Sequence, residues 1–369
     1  MIEVHNLHKK LGEFTVHDVS LAIEEREYFV LLGPTGAGKT VLLECVAGLY
    51  PVDGGKVMIN GHDVTYLVPE HRHISYVPQD YVLFPHLSVF DNIAFSLRLQ
   101  HWGSDRINER VRELSDMLGI TPLLGRSPTT LSGGEQQRTA IARALAPGPT
   151  ALLLDEPLSA LDENTRVLIG AELQSLPERF GTTVIHVCHN FEEALRLATR
   201  IAVLYRGRLV QVGAPDDVFA RPNCRFVAEF MRVRNILPVH SVEAAEGRLK
   251  CAVAGGPMLE AIAPEGDVPA MPAMLALRPE SINVATQPLR GENAFEAQVV
   301  GVFPLGSSVE VTLSIKSSGG APGVKLYALI TRQVSRQLGL TAGSAAWVQI
   351  PADAVHLLPD VYLPPGSED

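Results

Sequence analysis

A chain of 369 residues, 46% hydrophobic and 20% charged, has room for two domains and enough apolar side chains for a sizeable core, which excludes disorder by composition. Its formal net charge of −10 argues against a general electrostatic grip on nucleic acid, so no nucleic-acid partner is expected. No uninterrupted apolar run approaches the ~20 residues that a membrane-crossing helix needs. The opening Met1-Ile2-Glu3-Val4-His5-Asn6 lacks a basic stretch followed by an apolar one. No signal peptide is expected, and the chain should stay in the cytoplasm, meeting a membrane only through a partner. Cys45, Cys188, Cys224 and Cys251 are widely spaced, which favours buried or incidental thiols over disulfides or a zinc site.

In chain order, residues 1–4 and Phe14–Ile23 read as antiparallel edge strands. Tyr28–Leu32 is apolar throughout and runs directly into a Gly-rich turn, after which residues 40–49 continue as a helix ending at Gly48. Apolar runs recur at Ile74–Val77, 151–154, 183–187 and 201–204, with helical stretches between them. That rhythm predicts an α/β domain with a largely parallel central sheet over residues 1–235. From about 80 to 130 the strand signal disappears, and Val89–Leu99 and 107–118 carry helical spacing, which predicts a helical insertion. After Asn235 composition changes: Pro and Gly concentrate at 255–257, 264–272 and 317–323. Short strand-like runs at 249–253, 274–277, 295–302, 309–315, 325–331 and 346–350 predict a small β-barrel over 236–369. The tail from Pro364 to Asp369 is expected to fray.

Five motifs in one order carry the chemistry. Gly33-Pro34-Thr35-Gly36-Ala37-Gly38-Lys39-Thr40 fits a phosphate loop between strand and helix. Its glycines let the backbone curl until N–H groups converge on phosphates, and the helix start adds its positive dipole end. Lys39 would reach the β- and γ-phosphates of ATP, and the Thr40 hydroxyl would ligate Mg²⁺. After four core residues, Asp155 would hold the Mg²⁺ and Glu156 would polarise the attacking water. Gln79 and His189 follow two further apolar strands; Gln79 would touch both metal and water, and His189 the γ-phosphate. Leu131-Ser132-Gly133-Gly134-Glu135 is a second Gly-rich helix start, for which a self-sufficient pocket has no use.

This ordered set resembles the ATP-binding subunits of ABC transporters across residues 1–235. The resemblance implies that Ser132, Gly133 and Gly134 bind the γ-phosphate held by the other subunit's phosphate loop, with Gln136 and Arg138 continuing that helix. Ser159-Ala160-Leu161-Asp162 resembles the family's D-loop, whose Asp162 would link two sites in a head-to-tail homodimer around two ATP molecules. Two departures stand out. Leu11 fills the place of the usual adenine-stacking aromatic, with Phe14 the nearest ring, and Asn190 follows the histidine where Asp is frequent.

The same likeness implies integral membrane permease partners, an external substrate-binding protein acting indirectly, and a peripheral position on the cytoplasmic face. Tyr81-Val82-Leu83-Phe84-Pro85-His86 offers apolar and aromatic groups for permease docking. Leu277-Arg278-Pro279-Glu280 and residues 301–313 resemble TOBE-type barrels of OB-like form. Glu27-Tyr28-Phe29-Val30, Leu329-Ile330-Thr331-Arg332 and Ala354-Val355-His356-Leu357-Leu358 look most like molybdate/tungstate importer ATPases. Ser307, Ser308 and Thr331 are then candidate ligands for an oxyanion at the C-terminal domain. Importers of sulfate, iron(III), polyamine or sugar are the alternative reading, and a soluble ABC-type ATPase the more distant one.

Overall fold

The computed structural model describes residues 1–159, 161–263, 268–269, 271–315 and 323–363. Two compact units meet in the sequence between Val218 and Phe219. The composition shift at 235 falls later, because helices at 215–230 have an ordinary helical make-up that marks no boundary.

The first unit begins with β1 (Ile2–Leu11), β2 (Phe14–Ile23), β3 (Tyr28–Leu32), α1 (Lys39–Ala47), β4 (Gly54–Ile59), β5 (His62–Asp63) and β6 (Ile74–Val77). Then come α2 (Val89–Leu99), α3 (Ser104–Met117), α4 (Gly133–Leu145), β7 (Ala151–Asp155), α5 (Glu163–Gln174) and α6 (Leu176–Phe180). It closes with β8 (Thr183–Cys188), α7 (Phe191–Leu197), β9 (Arg200–Tyr205) and β10 (Arg208–Gly213). The main sheet runs β10-β9-β3-β8-β7-β6. Its strands are parallel except β10, which pairs antiparallel with β9. Every residue of β3, β7 and β8 is buried. Strands covered on both faces are mainly apolar, which is why they were legible as runs, although β8 also buries Thr183 and His186 and β7 ends in buried Asp155.

A second, antiparallel sheet runs β2-β1-β4-β5. β1 is therefore an interior strand and not the expected edge, since it pairs with β2 on one side and β4 on the other. Phe29, Leu31, Leu42, Leu43, Leu153 and Ile185 form the core beneath the Gly-rich loop. Each such side chain contributes about 1.5–3 kcal/mol of burial, so the loop is anchored on both sides. In the insertion, α2 buries Val89, Ile93, Ala94 and Leu97 on one face, and Ser88 caps it by accepting from the Asp91 amide at 3.0 Å.

The second unit contains α8 (Pro215–Ala220, which spans the division), α9 (Arg225–Phe230), β11 (Asn235–Ala245), β12 (Arg248–Val253), β13 (Met258–Ile262) and β14 (Ala273–Leu277). β15 (Asn283–Ala285), β16 (Ala294–Leu305), β17 (Ser308–Ile315), β18 (Val324–Thr331), α10 (Arg332–Leu338), β19 (Ala345–Gln349) and β20 (Val355–Pro359) complete it. Among the described residues its strands form two five-stranded antiparallel sheets, β13-β12-β11-β14-β20 and β15-β19-β16-β17-β18. They share one core of Leu275, Leu277, Val311, Leu313, Leu326 and Val348. Alternate residues of β17 (Val309, Val311, Leu313, Ile315) supply its inner face. The expected frayed tail at 364–369, most of the Gly-rich turn at 317–323 and part of 264–272 lie outside the described residues.

Candidate functional site

The Gly-rich loop occupies the turn from β3 into α1. A Cβ at Gly33 would meet the Leu204 carbonyl oxygen at 2.2 Å, so no side chain fits there. Gly38 is the N-cap of α1 with φ 99° and no side-chain cap, which leaves the first amides of the helix open to an anion. Thr35 and Gly36 are exposed at the loop's rim, while Ala37 and Lys39 are buried. Lys39 Nζ donates to the carbonyls of Gly33 at 2.8 Å and Pro34 at 2.9 Å. Burial holds this ammonium below its ordinary range, a cost that nearby negative charge offsets.

Across the adjoining strands, Thr40 Oγ1 donates to Asp155 Oδ1 at 3.1 Å. Tyr76, from β6, donates to Asp155 Oδ2 at 3.4 Å. The Asp155 carboxyl is pushed up, first by burial and also by the neighbouring Glu156 charge, while Thr40, Tyr76 and Lys39 pull it back. Two adjoining carboxylates against one buried lysine leave a site that a divalent cation would relieve. Thr40 and Asp155 offer a hydroxyl and a carboxylate oxygen, the kind of donor that Mg²⁺ accepts.

Glu156 is the first residue past β7, His189 the first past β8. Glu156 has φ 47°, a left-handed conformation that is costly outside glycine. Its amide donates to Val187 O at 2.9 Å, which fixes the turn. Its Oε1 lies 3.2 Å from His189 Nδ1. Asn190 caps α7, accepting from the amides of Glu192 at 2.9 Å and Glu193 at 3.4 Å. Asn and Asp are nearly equal N-caps, which accounts for the departure at this position.

Other candidates stand apart from this group. Gln79 is exposed in the turn after β6. Ser132 caps α4 in a capping box: it donates from its amide (2.7 Å) and hydroxyl (2.9 Å) to Glu135 Oε2, and its Oγ accepts from the Glu135 amide at 3.4 Å. Gly133 and Gly134 form the first turn of that helix. Asp162 caps α5 through the Thr165 amide at 3.0 Å. Phe14 packs its ring over Gly38, with Cζ 2.5 Å from where a Cβ would stand, so it borders the loop and the core together. Leu11 is half-buried beside it.

Two features escaped the sequence. Tyr76 sits in a short apolar run with nothing to mark its hydroxyl. Arg143 of α4 donates to Val82 O at 2.7 Å and Tyr81 O at 3.0 Å, just beyond Gln79. Tyr81 and Val82 both have positive φ, 59° and 43°, so Arg143 clamps a strained segment onto the helix that starts at Ser132. Phe84 packs against Phe95 with ring centroids 4.6 Å apart and planes tilted by 45°, and lies half-buried, while Val82 is exposed. In the second unit Ser308 and Thr331 are cross-strand partners. Their hydroxyls serve local structure: Ser308 donates to Leu305 O at 3.1 Å, and Thr331 caps α10 through the Val334 amide at 3.2 Å. The Arg332 amide donates to Ser307 O at 3.2 Å.

The ABC transporter family model matches residues 16–159, and the TOBE domain model matches residues 290–357. The chain is 42% identical over 367 residues to the molybdate/tungstate import ATP-binding protein WtpC of Pyrococcus abyssi, covering 97% of this chain and 100% of that one. It is also 42% identical over 322 residues to the spermidine/putrescine import ATP-binding protein PotA of Rubrobacter xylanophilus, covering 86% and 84%. A dimeric, post-hydrolysis structure of the ATP-binding cassette MJ0796 bound to ADP and Pi is similar at TM-score 0.53 and 31% identity, covering 58% of this chain and 99% of that one. No helix among the described residues is long and apolar enough to cross a membrane. The chain belongs to the ABC transporter family, as an import-type ATP-binding subunit with a C-terminal TOBE domain.

Proposed function

We propose that this chain hydrolyses ATP to drive an importer of molybdate- or tungstate-type oxyanions. The contact at 3.2 Å between Glu156 and His189, beside the Thr40–Asp155 bond and the buried Lys39, carries the catalytic part of this reading. Amides of residues 33–40 and Lys39 would bind the β- and γ-phosphates. Thr40, Asp155 and Gln79 would hold Mg²⁺, which supplies neutralising charge to those phosphates. Glu156 accepts a proton from the attacking water, leaving hydroxide character on the oxygen that meets phosphorus. His189, bonded to the same carboxylate, holds it in place and offers its other ring nitrogen to the γ-phosphate.

Neither copy is complete alone. Ser132, Gly133 and Gly134 of a second copy would close over the γ-phosphate, giving a head-to-tail dimer with two ATP molecules. That closure would be passed through Gln79 and the 81–86 segment to permease subunits, placing the chain peripherally on the cytoplasmic face. An external binding protein would select cargo. The substrate reading follows the WtpC relative; the PotA relative at equal identity keeps a polyamine as the second reading. Ser307, Ser308 and Thr331 would be the hydroxyls nearest an oxyanion in the C-terminal unit.

The test is uptake and ATPase by the assembled transporter in vesicles, supplied in turn with molybdate, tungstate, sulfate, phosphate, iron(III) and spermidine. Uptake of molybdate or tungstate alone supports the proposal, and inhibition by internal molybdate would extend it to the C-terminal unit. Uptake of spermidine or sulfate instead overturns the cargo assignment while leaving the ATPase chemistry standing.

A further inference from the structure

Behind His189 lies a buried cluster that this ATPase chemistry does not use. His186 and Cys188, two residues apart on β8, share one face of the strand. Glu193 of α7 packs onto them, so that a His186 nitrogen, Cys188 Sγ and a Glu193 oxygen lie within 4.8 Å of one another. His186 is 0% exposed and Cys188 3%. His186 Nε2 stands 3.0 Å from Glu193 Oε1, at ion-pair distance, yet the angle makes no hydrogen bond and this buried nitrogen has no hydrogen-bond partner. On the far side of the ring, Nδ1 lies 2.9 Å from the Tyr28 hydroxyl oxygen.

We propose that His186, Cys188 and Glu193 form a site for one thiophilic divalent cation of the zinc class. One nitrogen, one sulfur and one carboxylate oxygen are the donor set that zinc accepts in three-ligand sites with an open fourth position. With Nδ1–H donating to Tyr28, the Nε2 lone pair is free for metal, and Tyr28 orients the ring from outside the ligand set. Cys188 and Glu193 also line a cavity of about 60 Å³ with Glu156, Ser159, Arg166, His189 and Asn190, which supplies an entry path. Burial, with the Glu193 charge adding, holds the Cys188 thiol protonated without metal. A dipositive ion reverses that balance and the thiol proton leaves on binding. Occupancy would tie the end of β8 to α7 on both sides of His189.

The experiment titrates Co²⁺ into chelator-treated full-length protein without nucleotide and reads thiolate-to-cobalt charge-transfer absorption. The expected result is one equivalent with that band, lost in Cys188→Ser and retained in Cys45→Ser. Tyr28→Phe should bind roughly 10–100-fold more weakly. Cobalt in the all-oxygen nucleotide site gives no such band, so the two sites are told apart. If Cys188→Ser does not fold, Glu193→Gln serves in its place, with loss of affinity expected. Absence of the band in the unaltered protein, or its survival in Cys188→Ser or at full affinity in Glu193→Gln, overturns the proposal.

Discussion

Glu156 and His189 each stand one residue past the end of neighbouring parallel strands, and the register Asp155↔Val187 brings their side chains to 3.2 Å. Two residues 33 apart in sequence thus come within hydrogen-bond distance. If Glu156 accepts the water proton and His189 holds it, Glu156→Gln should slow hydrolysis about 10²–10⁴-fold. It should also trap an ATP-bound dimer, which gel filtration with ATP would reveal. Turnover of the Gln variant at the normal rate would remove Glu156 from that role.

The left-handed backbone at Glu156 makes a separate, structural prediction. Glu156→Gly should be about 1 kcal/mol more stable than Glu156→Ala, since only glycine is relieved of the Cβ clash at φ 47°. Denaturant unfolding of the two inactive variants measures it. Equal stability would mean the turn is not left-handed in solution.

Lys39 and Ser132 should separate binding from closure. Lys39→Ala removes the cation buried in the loop and should abolish tight ATP binding by calorimetry. Ser132→Arg should leave binding to one copy intact and block the dimer. A hydrolytically competent monomer would contradict the shared-site reading.

The Glu135 carboxyl is held below its ordinary value by the Ser132 amide first and the Ser132 hydroxyl second. A depressed carboxyl contributes stability that is present above the ordinary value of 4.5 and lost as pH falls through the lower folded value. Protection of the amides at residues 132–136, relative to their intrinsic exchange rates, should therefore fall below about pH 4.5. Glu135→Gln should flatten that pH dependence, and an unchanged profile would count against the capping box.

Arg143 should matter although it touches no nucleotide group. Its two bonds restrain Tyr81 and Val82 in left-handed conformations, and each charged hydrogen bond is worth about 1.5–3 kcal/mol. Arg143→Ala should speed amide exchange at 80–84 roughly tenfold or more, with ATP binding retained. No change would separate this segment from the helix that begins at Ser132.

β3, β7 and β8 were readable because a strand buried on both faces is mainly apolar, with His186 and Asp155 as partnered exceptions, and the loop after β3 because only glycine fits at 33 and 38. α2 was readable to the residue from apolar spacing on one face alone. β1 was misjudged as an edge because its second partner, β4, lies more than 40 residues away and lacks strong patterning of its own. β13 and β20 went unread for a like reason: short runs in a Pro- and Gly-rich region carry little local signal until a neighbour supplies their hydrogen bonds.

By itself the sequence determined the order of the motifs, the residue types at each, and the strands whose burial forces a mainly apolar run. Those are local properties, set by side-chain volume, hydrogen-bonding groups and backbone freedom. Only the tertiary structure decided that Glu156 meets His189, that Tyr76 reaches Asp155, and that Arg143 holds the strained turn at 81–82. It alone gathered His186, Cys188 and Glu193. Such contacts depend on strand order and register, which are fixed by how distant apolar faces cover one another and leave no trace in spacing along the chain.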